Sequence, residues 1–586
     1  MPPDIGLSTL AAKSLGVFWF WVLNRLCQTT NAGLSILCHP THDTNMSNYS
    51  IFTESDRILK HVLLRDPKLQ FPPSFVAAAE KVKFVGQDDQ PFVLTPLKIT
   101  ESSAALNALV AVAASAVAAD RYGTPYQDIE VNTDAATLFL ESVLLPTIAG
   151  KPFHKHEQMM PELRKMDLYN MSVPIRRLSS NVYRTRDGRW YHLHGSLNAT
   201  PTMQMLGVEE TDVSTEEAIR IYAEKVAQWD AKDIEKEAND VYNQAGVVCY
   251  EPEEFLSSEH GRIISDEPLW TTTRVPAPRK PWPEAKDPDA CSPLSGIRVI
   301  DFSRVIAAPA VSKMLSVLGA DVLRVSFDQL PEMSLCMPDL QTGKRDTNIN
   351  LKTEEGRKLF ADLVRGADIL IDGYRPGVLA RLGFDSHSLR QLSPTLIYMR
   401  ENCYGFKGPL AHRSGWQQIS DCLVGISHLQ GKFLGLDEAV VPLLPNSDYQ
   451  TGLVGAAAAI QALLHRTHED TTFDIDISLT QYNIWYYRLG LYSEEQQAAL
   501  RSRDLQFKPR HYDDIVELVR KTHESLVRIR PEMFQHPEYF WIMTAKEYGI
   551  DDDFKILAPA FKLATSTVGY KVPTGRRGRS KAEWVD

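Results

Sequence analysis

Asp448 is the residue of this chain whose type and surroundings point most clearly to chemistry. It stands in the stretch Pro445–Gly455, just ahead of a small, apolar segment that predicts a helix from Gly452 to Leu464. The positive end of a helix dipole favours the charged form of a carboxylate, and an ionised carboxylate can act as a nucleophile. The alternative is an aspartate that only caps the helix. Spacing alone favours the cap, so the choice between a nucleophile and a cap depends on the rest of the sequence.

The composition indicates a soluble globular protein of two or three domains. Of its 586 residues, 44% are hydrophobic and 23% are charged, which is ordinary for this class. A net charge of −11 argues against a nucleic-acid partner, because such proteins carry basic patches. The seven cysteines are widely scattered without a Cys-x-x-Cys pair, so neither a disulfide framework nor a zinc site is predicted. We expect no metal and no redox cofactor.

Residues 1–45 differ from the rest and are expected to be unstructured or presequence-like. The apolar run Leu15–Leu23 has nine residues, whereas a spanning helix needs roughly 20, so no stable membrane span is predicted. An organellar presequence, a short signal anchor and a protein that starts at Met46 all stay open. The location is therefore left as cytoplasmic or mitochondrial.

A proline-rich, charged linker over 275–293 divides the chain. After it, the sequence predicts a strand at Ile297–Phe302, a loop, a helix that starts near Pro309, and a strand at Ala320–Val325. Two further helix–strand units follow, over 353–371 and 386–399. Alternating strands and helices predict an α/β fold with an open, parallel sheet. Residues 493–586 are expected to form a helical region and a solvated basic tail.

The part before the linker contains an echo of the Asp448 region. An alanine-rich helix is predicted from Ser102 to Arg121 and is followed by a strand-like segment, as the Asp448 region is. Matching Arg121 to Arg466 puts Ser103 where Asp448 stands. We therefore predict a partial internal duplication whose first copy lacks the carboxylate. The alternative is a chance likeness of two alanine-rich helices.

A smaller α/β region is predicted between the two copies. Tyr183–Leu193 has the pattern of a β-hairpin with Asp187 and Gly188 at its tip. A long helical stretch over 215–243 and a strand-like segment from Ala245 follow it.

The second piece resembles the family III CoA-transferases, the CaiB/BaiF family, which includes formyl-CoA transferase, carnitine CoA-transferase and α-methylacyl-CoA racemase. The resemblance covers about 293–492, and residues 95–265 resemble the later half of the same fold. The motifs that carry it are Pro293–Pro309, Leu318–Val325, Gly343–Arg345, Asn350–Arg357, Asp372–Phe384, Tyr404–Pro409 and the Asp448 segment.

This resemblance implies a Rossmann-like, CoA-binding domain over 294–492 and a truncated copy with a small α/β domain over 46–274. It also implies an enzyme that moves coenzyme A, as substrate, from an acyl-CoA to a carboxylic acid. Asp448 would attack the thioester, and a mixed anhydride and an aspartyl-CoA thioester would follow. Family members form interlocked homodimers, so a homodimer and a fused second half within one chain both stay open.

The family's CoA-contacting loops match two segments of this sequence. The resemblance implies that five consecutive residues of the loop after the first predicted strand contact CoA. Arg324 is expected near the adenine end of CoA, and the remaining contacts are expected from a second loop. The implied CoA contacts are Ser303, Arg304, Val305, Ile306, Ala307, Arg324, Gly373, Tyr374, Arg381 and Leu382.

Departures from the family keep two other functions open. Where many members have Gly-Tyr-Asp or Gly-His-Asp, this chain has Gly415, Trp416 and Gln417. The racemases use that histidine with the aspartate, so acyl-CoA racemisation is disfavoured here. No glycine-rich flap is visible in the sequence. The alternatives to a CoA-transferase are a racemase or other CoA-dependent enzyme of the same fold, and a non-catalytic CoA-binding or scaffold protein.

Overall fold

A computed structural model describes residues 49–285, 287 and 289–585. The predictions for residues 1–45 lie outside this range. In the described part, the strands form four sheets. The strands are β1 Val82–Val85, β2 Ile129–Asn132, β3 Thr147–Ile148, β4 Lys151–Pro152, β5 Asn181–Arg184, β6 Trp190–His194, β7 Ala245–Val248, β8 Trp270–Pro276, β9 Arg298–Phe302, β10 Asp321–Ser326, β11 Lys344–Asn348, β12 Ile369–Asp372, β13 Ile397–Asn402, β14 Thr471–Ser478, β15 Phe540–Thr544, β16 Asp553–Leu557 and β17 Phe561–Leu563.

The α-helices of the described part lie between and around these strands. Before the linker they are Ile51–Arg57, Pro73–Ala79, Ile99–Tyr122, Thr133–Leu138, Met159–Arg164, Pro174–Arg177, Thr200–Leu206, Thr215–Val226, Ala231–Lys236, Pro252–Ser257 and Glu259–Ile264. After the linker they are Ala307–Val317, Met337–Leu340, Glu354–Arg365, Val378–Arg381, Ser386–Leu392, Gln417–Val424, Ile426–Phe433, Asn446–His468, Leu479–Arg488, Glu494–Ser502 and Ile515–Ile529.

The largest sheet is the predicted parallel sheet. Its strand order is β11-β10-β9-β12-β13-β14-β8, and all neighbours are parallel except β8, which runs antiparallel to β14. The chain moves outward from β9 to β11 on one side and continues with β12 on the other side of β9. Open α/β sheets bind ligands outside the carboxyl ends of their strands at such a reversal. The expected CoA site therefore lies at the ends of β9 and β12.

Two glycines let the helix Asn446–His468, here called the Asp448 helix, pack closely against its neighbours. A Cβ atom on Gly452 would lie 2.4 Å from Cβ of Ala310, and one on Gly455 would lie 2.7 Å from Cγ2 of Val311. Both neighbours belong to the helix Ala307–Val317, which follows β9. Because these two glycines have no side chains, the two helices that flank the expected site can approach each other closely.

The first alanine-rich helix, Ile99–Tyr122, packs on the Asp448 helix in the centre of the molecule. It is the one helix of the described part that is long and apolar enough to cross a membrane. Its most apolar 18-residue window is 94% buried inside the protein, as expected for a core helix.

The element order supports the predicted duplication, which itself stays a prediction. The first alanine-rich helix leads to β2 and the short helix Thr133–Leu138, and the Asp448 helix leads to β14 and the helix Leu479–Arg488. Both strands have one parallel and one antiparallel neighbour. Ser103 is fully buried and donates its hydroxyl to the carbonyl oxygen of Ala136 at 2.6 Å.

The C-terminal region differs from the predicted helices and solvated tail. Two helices are present, but β15 and β16 join β3 and β4, and β17 pairs with β2. The basic tail packs against the parallel-sheet domain, where Arg577 donates to the carbonyl oxygens of Asp328 and Leu330. The predicted linker also begins inside a strand, because β8 extends to Pro276. Long-range strand pairing of this kind has no local signal in the sequence.

The hairpin of the small region is confirmed. β5 and β6 pair antiparallel around a turn in which Gly188 has a φ of 79°, and β7 completes the sheet. The long helix predicted over 215–243 is divided into Thr215–Val226, Ala231–Lys236 and a π-helical stretch, Glu237–Val241. Two residues after β6, Ser196 accepts a hydrogen bond from the indole nitrogen of Trp416, which follows β13 of the parallel sheet.

Candidate active site

A cavity of about 590 Å³ lies at the carboxyl ends of β9, β10, β12 and β13. The loops after β9 and β12 line it, together with the first turn of the Asp448 helix and the loop after β6. Most of the predicted site residues meet in its wall: Arg304, Val305, Ile306, Ala307, Gly373, Tyr374, Arg381, Leu382 and Asp448.

The loop after β9 has an unusual backbone where it lines the cavity. Val305 has a φ of 72°, a conformation that a β-branched residue rarely adopts and that is found mainly at functional sites. Gly373, at the end of β12, approaches the same loop so closely that an added Cβ atom would lie 2.8 Å from Cβ of Ser303. The two predicted CoA-contacting loops are therefore in direct contact.

Two predicted contact residues lie outside the cavity wall. Ser303 is fully buried and donates its hydroxyl to Asp301. Arg324 is 1% exposed and forms ion pairs with Glu332 and with Asp346, the latter at 2.9 Å. It lies two residues before the end of β10, inside the sheet layer, and would have to leave both carboxylates to reach a phosphate. Nothing in the spacing of the motif distinguishes this buried arginine from an exposed one.

Basic and aromatic side chains cover another part of the wall. Arg304 donates to the carbonyl oxygen of Pro331 at 2.8 Å and lies over the ring of Tyr374, 5.1 Å from its centroid. Arg381 is exposed and lines the cavity too. Lys352 and Arg375 also line it and were not predicted. Their exposed cations are suited to phosphate groups.

Asp448 lies inside its helix rather than ahead of it. The helix begins at Asn446, so Asp448 belongs to the first turn, and its side chain lines the cavity. No hydrogen-bond or ion-pair partner of this carboxylate exists among the described residues. Burial, and then the nearby carboxylates of Glu401 and Asp421, raise the pKa of Asp448 well above its usual range.

This raised pKa opposes the expectation that the helix dipole keeps Asp448 ionised. The helix N-terminus stabilises a carboxylate by about 0.3–1 kcal/mol. That is less than one pKa unit, which corresponds to about 1.4 kcal/mol. Desolvation and two neighbouring acids therefore outweigh the helix dipole, and Asp448 depends on its surroundings to be ionised.

A buried hydrogen-bond network fixes the first turn of the Asp448 helix. The carboxylate of Asp421 accepts hydrogen bonds from Asn483 and Gln417 at 2.7 Å and from the hydroxyl of Ser447 at 3.0 Å. Burial raises the pKa of Asp421 to about 7. Because Ser447 directly precedes Asp448, this network positions the candidate nucleophile. Gln417, which the sequence marked only as a departure from the family, is part of it.

Trp416 connects the small sheet to the cavity. Its indole nitrogen donates to the hydroxyl of Ser196 at 3.1 Å, and its ring stacks on His194 with 5.3 Å between centroids. Burial lowers the pKa of His194 well below its usual range, and Nδ1 of this histidine accepts a hydrogen bond from the backbone of Ser196. This histidine is therefore neutral and structural.

Glu401 is an acidic residue of the site that sequence reasoning missed. It lies near the end of β13 and lines the same cavity as Asp448. Burial, and then the charge of Asp372, raise the pKa of Glu401 to about 8. The sequence showed only an acidic residue at the end of an apolar strand, and such a residue is ordinarily exposed to solvent.

Comparison with known proteins identifies the family. Residues 294–510 match the profile of CoA-transferase family III. The chain is 33% identical over 548 residues to the acetyl-coenzyme A transferase nodX of Hypoxylon pulicicidum, which covers 90% of this chain and 91% of that protein. It is 30% identical over 452 residues to an acyl-CoA transferase of Gibberella moniliformis, with 74% and 77% covered.

A solved structure of a CaiB/BaiF family protein from Brucella suis is 26% identical and covers 37% of this chain and 60% of that one, with a TM-score of 0.29. In the described residues no group of three or more His, Cys, Asp or Glu side chains could hold a metal ion, and the absence of a metal requirement stays a prediction. Since the first relative shares a third of its residues across nearly the whole of both chains, this chain is an enzyme and belongs to CoA-transferase family III, the CaiB/BaiF family.

Proposed function

We propose that this CoA-transferase moves coenzyme A from an acyl-CoA to a carboxylic acid through a covalent intermediate on Asp448. The observation that carries the proposal is the position of the Asp448 carboxylate. It has no hydrogen-bond or ion-pair partner among the described residues, and it lies in the wall of the cavity that the loops after β9 and β12 line. A half-buried carboxylate that lines a cavity and has no protein partner is a candidate for acting on a ligand.

The transfer has two chemical halves. In the first, an Asp448 oxygen attacks the thioester carbonyl carbon, the C–S bond breaks, and CoA leaves as a thiolate from a mixed anhydride. The thiolate then attacks the aspartyl carbonyl carbon, which releases the donor acid as a carboxylate and forms aspartyl-CoA. In the second half, the acceptor carboxylate attacks aspartyl-CoA and the same steps run in reverse order. Asp448 is regenerated, as nucleophilic catalysis requires.

CoA is expected to lie along the wall formed by the loops after β9 and β12. Arg304 and Arg381 supply positive charge for its phosphates, and the ring of Tyr374 supplies a flat surface. Arg324 has no part in this proposal, because its charge is already matched by two buried carboxylates.

The residues at the position of the racemase histidine favour transfer over racemisation. A racemase needs a second group that takes and returns a proton at the α-carbon. At the matching positions, Trp416 donates to Ser196 and Gln417 donates to Asp421. Neither side chain can exchange a proton near neutral pH.

The test is the loss of transfer in Asp448→Ala, measured with acetyl-CoA or succinyl-CoA as donor and a panel of carboxylic acids as acceptors. Removal of the nucleophile should lower the rate on the order of 10⁴-fold. CoA affinity, measured by calorimetry, should stay nearly unchanged. Tm should not fall, because this side chain has no hydrogen bond to lose.

Two control variants accompany this measurement. Asp437 is an exposed aspartate outside the cavity, and Ser103 is the buried counterpart of Asp448 in the first piece. Asp437→Ala and Ser103→Ala should both keep wild-type transfer rates. Full activity in Asp448→Ala would exclude this residue as the nucleophile.

A further inference from the structure

We propose that Glu401 is the proton-carrying partner of Asp448: it is the neutral acid of the pair during acyl transfer and donates its O–H to the oxygen atoms of the reacting acyl group. This inference rests on the proposed function, in which Asp448 is the nucleophile. It assigns a second catalytic residue to the site.

The register of the sheet explains how Glu401 reaches the cavity. The last residue pair between β12 and β13 joins Asp372 to Arg400, so β13 extends beyond its neighbour at the carboxyl edge. On the other side, Glu401 pairs with Ile477 of β14. Glu401 therefore stands on the edge of the sheet that faces the first turn of the Asp448 helix, and both side chains line the cavity.

The Glu401 carboxyl group has no structural partner. In the part of the chain that the structure describes, it forms no hydrogen bond and no ion pair. The other acids nearby are satisfied: Asp372 accepts from the hydroxyl of Tyr398 at 2.9 Å, and Asp421 accepts three hydrogen bonds. Glu401 and Asp448 are thus the two acids of this group whose oxygens are left to a ligand.

The charges around the pair come from several elements, and the near ones are negative or neutral. Asp372 at the end of β12 acts on Glu401, and Asp421 of the helix Gln417–Val424 acts on Asp448. Two thiols, those of Cys336 and Cys403, lie close enough to sense Asp448. The basic side chains of the cavity wall are Arg304, Lys352, Arg375, Arg381 and Arg413.

None of these basic groups neutralises the pair within the described residues. Arg413 is held by Glu235 at 2.7 Å, and Arg304 is held by the carbonyl oxygen of Pro331. Two neighbouring carboxylates without a cation do not both ionise near neutrality, so the pair retains one proton over an intermediate pH range. The raised pKa values of both groups agree with this.

In the reactive arrangement of the singly protonated pair, the proton is on Glu401 and Asp448 is ionised. An Asp448 oxygen forms a bond to the thioester carbonyl carbon, the C=O electron pair moves to oxygen, and the C–S bond then breaks as CoA leaves as a thiolate. The O–H of Glu401 hydrogen-bonds to the oxygen that gains charge, and its proton stays on Glu401 throughout. A fixed donor at such an oxygen is among the largest contributions to catalysis.

The same neutral acid serves the second half-reaction. After aspartyl-CoA has formed, the acceptor enters as an anion. An ionised Glu401 would repel it, whereas the acid form donates a hydrogen bond to one of its oxygens. Loss of the proton from Glu401 should therefore raise KM for the acceptor acid as well as lower kcat.

The sharpest test compares the pH profiles of Glu401→Gln and Glu401→Leu with that of the wild type. The wild-type rate should rise with the first ionisation of the pair and fall with the second, because only the singly protonated pair holds both a nucleophile and a donor. Gln resembles the protonated acid, since it is neutral and can donate. Glu401→Gln should keep a rate within about tenfold of wild type at neutral pH and lose the alkaline fall.

Glu401→Leu keeps an uncharged side chain of similar size but removes the donor. It should lower kcat roughly 10²-fold at neutral pH, while CoA affinity is retained and the alkaline fall is lost. If Glu401→Leu does not fold, as judged by Tm, the pH profile of Glu401→Gln still decides. A Glu401→Gln profile with the wild-type alkaline fall would overturn the proposal, and so would a large loss in Glu401→Gln at neutral pH, because the ionised form would then be the active one.

The two proposals fail in different ways. If Asp448→Ala transfers CoA normally, the proposed nucleophile is wrong and Glu401 has no partner to serve. If Asp448→Ala is inactive and Glu401→Gln behaves like the wild type at all pH values, only the role of Glu401 is wrong.

Discussion

At the residue scale, the site separates arginines that face a ligand from arginines that hold the fold. Arg304 lines the cavity and makes one hydrogen bond to a backbone carbonyl, so its remaining donors are available. Arg324 is enclosed by Glu332 and Asp346. Arg304 follows β9 and Arg324 lies in the neighbouring strand β10, so the two arginines differ in burial although they are close in the same sheet.

Arg304→Ala should weaken CoA binding by about 1–3 kcal/mol, the strength of a charge-assisted hydrogen bond. Calorimetric titration with CoA measures this directly. Arg345→Ala is the matched control, because Arg345 pairs with Asp321 and lies outside the cavity wall. Unchanged affinity in Arg304→Ala would remove the loop after β9 from the CoA site.

Arg324→Ala should act on stability instead. It leaves two buried carboxylates unpaired, a change that typically costs about 3–5 kcal/mol of the free energy of unfolding. Urea unfolding would measure the loss. A fully stable Arg324→Ala protein with weakened CoA binding would restore the direct contact that the family resemblance implied.

The sequence located the nucleophile candidate but not its chemical environment. Asp448 could be found because its segment matches a motif of the family, whereas the local pattern alone, an acid before a run of small residues, favoured a helix cap. Glu401 and Asp421 could not, because their closeness to Asp448 results from β13 and the helix Gln417–Val424 meeting in space. Local patterns predict the position of a residue along an element, whereas its pKa depends on neighbours that are distant in the chain.

At the scale of elements, the alternation of strands and helices was enough to predict the parallel sheet. The predicted strands match β9, β10, β12 and β13 to within a few residues. The start of the Asp448 helix was predicted six residues too late, because Asn446 to Thr451 carry the polar side chains of the site rather than a helical apolar stripe. Because these polar residues serve the site, the first turns of the helix lack the apolar periodicity from which a helix is predicted.

The contact between the Asp448 helix and the helix Ala307–Val317 should be sensitive to a single methyl group. Gly452→Ala would bring the new Cβ atom to 2.4 Å from Cβ of Ala310, closer than two carbons can approach. Gly to Ala in an exposed helix stabilises by about 1 kcal/mol, but here overpacking should destabilise by about 1–3 kcal/mol.

The test is whether Gly452→Ala lowers or raises the stability of the protein. Thermal unfolding of Gly452→Ala should show a lower Tm, and transfer activity should fall because the first turn of the helix moves with it. A higher Tm would mean that the two helices can separate freely and do not fix the position of Asp448.

At the scale of the whole molecule, each piece completes the sheet of the other. β8, from before the linker, extends the parallel sheet, and β17, from the C-terminal end, pairs with β2 of the first piece. Such exchanged strands could not be foreseen, because short edge strands have weak patterns and no sequence rule assigns their partners. The two pieces should therefore unfold as one unit.

A chain that ends at Ala558 should be strongly destabilised. It loses β17, whose Phe561 and Leu563 are buried, and each such side chain contributes about 1.5–3 kcal/mol. Denaturant unfolding should show the loss in a single transition. The contrasting variant begins at Met46 and should keep full stability and activity; if it does not, residues 1–45 belong to the fold.

The most direct test of the central claim is to trap the intermediate in the wild-type enzyme. The protein is mixed with an acyl-CoA, treated with hydroxylamine during turnover, and its peptides are analysed by mass spectrometry. The peptide that contains Asp448 should carry a hydroxamate only when the acyl-CoA is present, and Asp448→Ala should carry none. A hydroxamate on another residue, or steady CoA transfer without any modified peptide, would contradict the claim that Asp448 carries coenzyme A.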